Sequence, residues 1–265
     1  MIDSDEFTVS DSFYDNYPPI GFNNTEDYKD FFSYRKIIEE SLTRKSSRKE
    51  SLYLGYLKTI IKNVKDSLII NDLFFKKGET AITYTDKLEE YFNFYIQNSS
   101  NKYYNSKITD KYNILKLTAK GKTSPKFYDY KNFNGGTNSL DDFLNNGKYL
   151  FIDIWATWCG YCAREIPLLK RYEVLYHDKN IEFIGISADN QNDFEKWKRT
   201  IVKNEQSGHQ LFSDNAMESE FFQKYAIEGL PRFIILDPEG KIVTPNAPRP
   251  SEGDKLENLI NSLDI

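Results

Sequence analysis

Cysteine is nearly absent from this chain of 265 residues, which holds two, Cys159 and Cys162. Two cysteines cannot build the disulfide framework that staples small secreted domains. The fold must therefore rest on a hydrophobic core, which a chain of this length can bury. Histidine is equally scarce, with only His177 and His209 present. A tetrahedral zinc needs four ligands, and neither histidine stands at ligand spacing from the cysteines, so no metal is expected. No run approaches the ~18 consecutive apolar residues that span a bilayer. With a mean hydropathy of −0.64, the chain is expected to be soluble, with no membrane span. The N-terminus has no basic stretch followed by an apolar one, so no signal peptide is read here. The expectation is a cytosolic protein or the mature form of a processed one.

Basic charge in excess is missing too. The net charge is −5, and the first 30 residues hold eight acids (Asp3, Asp5, Glu6, Asp11, Asp15, Glu26, Asp27, Asp30) against Lys29. The rest of the chain is nearly neutral, which excludes the broad positive footprint of a nucleic-acid binder.

Residues 1–30, with Pro18-Pro19 and the aromatics Phe13, Tyr14, Tyr17 and Phe22, read as an irregular acidic lead-in that could dock on a neighbouring surface. Residues 31–120 read as a helical domain. Tyr34, Ile37, Ile38 and Leu42 recur at helical spacing, as do Tyr53, Tyr56, Leu57, Ile60, Ile61, Val64 and Leu68, and then Leu88, Tyr91, Phe92, Tyr95 and Ile96. These stripes are core faces rather than ligand surfaces, and the cluster Arg44, Lys45, Arg48, Lys49 is a solvated face.

The texture changes at Gly121-Lys-Thr-Ser-Pro125, where the domain boundary is placed. Residues 121–265 alternate strands and helices. The runs at 149–155 and 181–187 are buried strands, 164–176 and 194–202 are helices, and 232–237 with 241–244 form a hairpin about Asp237-Pro-Glu-Gly240. Leu256, Leu259, Ile260 and Leu263 form a closing amphipathic helix for which Ser251 is the expected N-cap.

Cys159 follows directly from a strand, and Cys162 lies one turn into the next helix. Free N–H groups and the positive end of the helix dipole face the first sulfur and favour its thiolate. A free cysteine titrates near ~8.5, and lowering this to about 7 takes roughly 2 kcal/mol. Such a thiolate can attack a disulfide, and the second cysteine on the same helix face can resolve the mixed disulfide.

The surrounding residues, Trp155-Ala-Thr-Trp-Cys-Gly-Tyr-Cys162, carry a family likeness. Asp153 stands six residues before Cys159, Glu165-Ile-Pro167 follows Cys162, and Gly229-Leu-Pro231 and Asn246-Ala-Pro-Arg-Pro-Ser251 come later. With these features, residues 121–265 resemble the TlpA-like thioredoxin-fold thiol–disulfide oxidoreductases. The resemblance implies an α/β thioredoxin-like fold, a central mixed sheet flanked by helices, here preceded by a small all-α domain. It implies that Cys159 is the nucleophile and Cys162 the resolving thiol. Asp153 and Glu165 then handle protons, since a buried carboxylate with a raised pKa can accept the proton of Cys162. It also implies that Pro231 is cis and leaves the backbone of Leu230 open to pair with a substrate peptide. Trp158, Gly160, Tyr161, Leu230, Pro231 and Arg232 would make up the substrate face. No cofactor is implied beyond the redox-active Cys159–Cys162 disulfide. The implied partners are protein thiols or disulfides and an upstream dithiol donor. The location implied is extracytoplasmic, in the periplasm or cell envelope.

Two positions depart from the family pattern. Gly160-Tyr161 stands where most relatives have a proline before the second cysteine, a pair shared with some disulfide isomerases of the superfamily; it predicts a less reducing potential. Arg232 stands where threonine is usual, either as a cation that lowers the Cys159 pKa or selects acidic substrates, or as a solvated strand-edge arginine. A reductase is the leading expectation. An isomerase and an interaction module with vestigial activity are the alternatives, while a peroxidase would not need two cysteines so closely spaced.

Overall fold

A computed structural model describes residues 21–46, 52–85 and 87–265. Residues 1–20 of the acidic lead-in, and Arg48 and Lys49 of the basic cluster, lie outside the described residues. By contacts the chain divides into two compact units, Met1–Thr109 and Asp110–Ile265. The division falls inside a helix, upstream of the change in texture at Gly121.

The first unit is helical: α1 (Thr25–Asp30), α2 (Phe32–Lys45), α3 (Leu52–Asn63), α4 (Ser67–Tyr84), α5 (Leu88–Asn98) and the start of α6 (Lys102–Leu115). Helix begins earlier than the lead-in reading allowed, because the Asn24 side chain accepts from Asp27 N at 3.1 Å and two acids occupy the first turn of α1. The unbroken stripe from Tyr53 to Leu68 is in fact two helices. Asp66 caps α4, accepting from the backbone N–H groups of Leu68 (2.9 Å) and Ile69 (3.0 Å), and the chain turns there. The expected stripes do form core, with Ile38, Leu42, Leu57, Ile60, Tyr91 and Tyr95 buried. Gly78 is where α4 admits the ring of Tyr95, since a Cβ there would lie 2.9 Å from its Cε2.

The second unit is a seven-stranded mixed sheet in the order β2-β1-β5-β4-β3-β6-β7. Its elements are β1 (Tyr130–Asn132), β2 (Thr137–Asn138), β3 (Tyr149–Trp155), α7 (Gly160–Leu175), β4 (Ile181–Ser187), α8 (Phe194–Asn204), β5 (His209–Phe212), α9 (Glu220–Lys224), β6 (Arg232–Leu236), β7 (Ile242–Thr244) and α10 (Asp254–Asn261). Strands β3, β4 and β5 are parallel, and β6 and β7 return antiparallel. The hairpin closes as expected: Asp237 accepts from the N–H groups of Glu239 (3.1 Å) and Lys241 (2.8 Å), and Gly240 takes φ 81°.

Alternation along β3 sorts the two faces. Leu150, Ile152 and Ile154 join Ile184, Ile186, Leu211 and the aromatics of α9 in one core. Phe151 packs with residues of α7 and α10 in a second, and Trp155 joins the cysteines and Trp197 of α8 in a third. Each such buried side chain contributes about 1.5–3 kcal/mol. Asp153, a lone acid in this strand, therefore falls on the α7 side. Ser251 does not cap α10. It lies in a 3₁₀ turn, Pro250–Glu252, and Gly253 occupies the N-cap position.

Candidate active site

Strand β3 ends at Trp155, and the chain reaches α7 through Ala156-Thr-Trp-Cys159. Cys159 is the N-cap of α7, with its Sγ accepting from Cys162 N at 3.0 Å, and the two cysteines are joined in a disulfide. Cys159 keeps 7% of its surface and Cys162 2%, so Cys159 is the more accessible of the pair. The Cys159 sulfur thus stands at the head of α7, where one first-turn N–H reaches it.

Three elements surround the pair. Leu230, before the cis Leu230–Pro231 bond, packs on the cluster that holds both cysteines. Trp158 and Tyr161 are 55% and 63% exposed on the outer side, where Arg164 lies over the Tyr161 ring at 5.3 Å; Gly160 is exposed between them. Trp155 is buried and belongs to the core around the cysteines.

Asp153 is buried beneath α7, and its Oδ1 has no hydrogen-bond partner among the described residues. Burial, and then the nearby carboxylates Glu173 and Glu165, push its pKa up to about 8. Glu165, one turn beyond Cys162, is also buried, and its carboxylate accepts from Ser251 N (2.9 Å) and Ser251 Oγ (2.7 Å). The sequence suggested Ser251 as a helix cap; its donors serve this acid instead. Arg232 is 1% exposed, stands in register with Ile154 and donates to the Pro245 carbonyl at 3.3 Å. It is not the solvated arginine that the sequence allowed, and a buried guanidinium adds nothing to an exposed docking face.

Two further groups escaped the sequence reading. Asp189, fully buried just past β4, binds the loop before the cysteines through Thr157. Glu173, on α7, is half-buried with its pKa raised by burial, against the hydrogen bond that Ser207 donates to it. The signal for Asp189 was available in principle. Parallel neighbours β3 and β4 end side by side, with Ala188 N donating to the Trp155 carbonyl at 2.8 Å, so the residues following each strand must meet.

Among the described residues there is no cluster of acids, histidines and cysteines able to hold a metal, and no helix long and apolar enough to cross a membrane.

Comparison with known proteins points the same way. A family model described as thioredoxin-like matches residues 146–242. The thiol-disulfide oxidoreductase ResA of Bacillus thuringiensis subsp. konkukian is 29% identical over 125 residues, which is 46% of this chain and 66% of that protein, just under two thirds of its length. The crystal structure of the thioredoxin domain of a thiol-disulfide oxidoreductase from Bacteroides vulgatus is 31% identical, covering 54% of this chain and 96% of that one, with a TM-score of 0.47. A thiol-disulfide oxidoreductase from Bacteroides fragilis is 30% identical, covering 53% and 98%, with a TM-score of 0.46.

Proposed function

Since residues 146–242 match a thioredoxin-like family model and the second unit is similar to ResA-type thiol-disulfide oxidoreductases, we propose that the chain exchanges disulfides with protein substrates, acting as a reductase. The observation that carries this reading is the Cys159–Cys162 disulfide at the head of a helix, flanked by the cis Leu230–Pro231 bond and backed by a buried acid of raised pKa.

In the reduced enzyme the Cys159 thiolate attacks one sulfur of a substrate disulfide. The new bond joins Cys159 to that sulfur, and the other substrate sulfur leaves as a thiolate. Cys162 then attacks Cys159 Sγ. The mixed disulfide breaks, the internal disulfide forms, and two electrons have passed to the substrate. The proton of Cys162 goes to Asp153, or to Glu165 one turn along the same helix. Trp158, Gly160 and Tyr161 meet the substrate on the outer side, and Leu230 with Pro231 offers backbone for a short strand-like pairing. A separate dithiol restores the enzyme. The work of such a reductase lies in an oxidising, extracytoplasmic compartment, where client thiols become disulfides.

The test is insulin reduction by the wild type and by Cys159→Ser, combined with trapping by Cys162→Ser. Activity lost in Cys159→Ser, and client proteins recovered in disulfide linkage to Cys162→Ser, support the reading. An inactive wild type that traps nothing removes it. The Gly160-Tyr161 pair favours one second reading, an isomerase. Reactivation of scrambled ribonuclease at a rate exceeding insulin reduction would select it.

A further inference from the structure

Asp153 meets charge from one direction that the exchange chemistry does not use. In the sheet it stands in register with Gly185 of β4, and Gly185 stands in register with Gln210 of β5. A Cβ on Gly185 would lie 2.4 Å from Gln210 Oε1, so the Gln210 amide occupies the space above the glycine, reaching toward Asp153. The amide is pinned by Nε2, which donates to the Ser207 carbonyl at 2.7 Å. That leaves Oε1 turned inward, and neither Gln210 Oε1 nor Asp153 Oδ1 has a hydrogen-bond partner among the described residues. A buried, unpartnered acceptor turned toward Asp153 disfavours the charged form of that carboxyl group.

Glu173 closes this row. It lies on α7, the helix that carries the cysteines, and accepts from Ser207 Oγ. It also lines a surface cavity of about 410 Å³ with Lys148, Ser207, Gly208 and His209. The other acid that acts on Asp153 is Glu165, also on α7, and Phe233 of β6 stands opposite Asp153 in register. Helix α10 brings the apolar Leu256 and Ile260 against Phe151 and Phe233, and α8 brings Trp197 against Trp155. Lys170 acts on Glu173 and is bound to Glu205 at 3.0 Å.

Building on the disulfide-exchange reading, we propose that Glu173 is a positioning residue for the reaction: a solvent-reaching carboxylate that acts on Asp153 from the side away from substrate, and so fixes how tightly that acid holds the proton it takes from Cys162. A docked substrate covers the cysteine face. The row Asp153–Gly185–Gln210–Ser207–Glu173 lies beneath α7 and leads to a cavity that substrate on that face leaves open. The charge on Glu173 raises the proton affinity of Asp153, as the repulsion between like charges requires. Glu165 acts in the same sense but is bound by both donors of Ser251.

The test is the titration of the Asp153 carboxyl carbon by NMR in the oxidised protein, which requires no turnover. In Glu173→Gln the midpoint falls by about one unit, and in Glu173→Asp, which keeps the charge, it stays at the wild-type value. At pH 7 a midpoint moved from about 8 to about 7 leaves roughly fivefold more of the acid ionised, and decay of the mixed disulfide in single turnover quickens by that factor. Ser207→Ala, at an exposed position, removes the donor that favours the charged form of Glu173 and also lowers the midpoint. A midpoint unmoved in both Glu173→Gln and Ser207→Ala, in a protein that reduces insulin normally, overturns the role of Glu173 alone. A midpoint that falls in a protein unable to reduce insulin leaves the coupling standing and removes the exchange reading instead.

Discussion

Asp189 holds Thr157 by three hydrogen bonds. Its two carboxylate oxygens accept the Thr157 backbone N–H at 3.1 and 3.0 Å, and Oδ1 accepts the Thr157 hydroxyl at 2.7 Å. Ser187 Oγ adds a fourth at 2.7 Å. Thr157 stands two residues before Cys159, so this acid fixes the loop that leads to Cys159 at the head of α7. Hydrogen bonds to a buried charge are the stronger kind, and truncation leaves their donors unpaired. Asp189→Ala is expected to destabilise the domain by about 3 kcal/mol, read from urea unfolding, and to slow insulin reduction. Unchanged stability and rate would show that the loop holds its shape without Asp189.

The raised pKa of Asp153 has a signature in stability. The folded protein keeps this proton up to about pH 8, whereas the unfolded chain releases it near the ordinary value of 3.8. Between those limits the folded state binds more protons, so stability falls as pH rises from about 4 to about 8. Asp153→Asn abolishes this component. Its stability relative to wild type is expected to increase steadily across that window and to level off above it, in denaturant titrations at several pH values. A pH-independent difference would place the Asp153 proton elsewhere.

Much of the site was legible because its chemistry is local in sequence. The cysteines, the helix start and the strand before it lie within a dozen residues, and the run at 149–155 is hydrophobic on both faces whatever surrounds it. The second unit's strands and the major helices, where they were read, follow for the same reason. What sequence left out depends on contacts between distant segments. Glu165 and Ser251 meet because the 3₁₀ turn ahead of α10 folds over α7, and a serine before an amphipathic helix is otherwise a natural cap. The turn at Asp66 was hidden because the apolar stripe keeps helical period across it, while only the cap chemistry breaks it. Within the helical domain no stripe marked α6, and strand β5, helix α9 and the β1–β2 hairpin went unread, being polar or very short.

The pair between the cysteines bears on redox poise. With tyrosine in place of proline, position 161 keeps a backbone N–H in the first turn of α7, the turn whose Cys162 N–H donates to the Cys159 sulfur. A donor that favours the thiolate stabilises the reduced form and makes the enzyme a weaker reductant. The wild-type potential against glutathione is expected to be less negative than about −270 mV, and Tyr161→Pro is expected to lower it by about 20–30 mV. A wild-type potential at the thioredoxin value, unaltered by the substitution, would show that this donor has no influence.

Arg232 offers a sharp choice between electrostatics and packing. It stands opposite Ile154, and directly opposed residues on paired strands share a face. Ile154 belongs to the core under α9, while Trp155 and the cysteines belong to the core under α7 and α8. The sheet thus separates the guanidinium from Cys159 Sγ, and the guanidinium donates a hydrogen bond to the Pro245 carbonyl just past β7. Arg232→Thr is therefore expected to leave the thiolate absorbance midpoint of Cys159 within about 0.2 units of wild type. Stability should fall by about 1–3 kcal/mol through lost packing and hydrogen bonding. A midpoint raised by about half a unit or more would mean that the charge acts across the sheet on the nucleophile, and Arg232 would then belong with the groups that tune the thiolate.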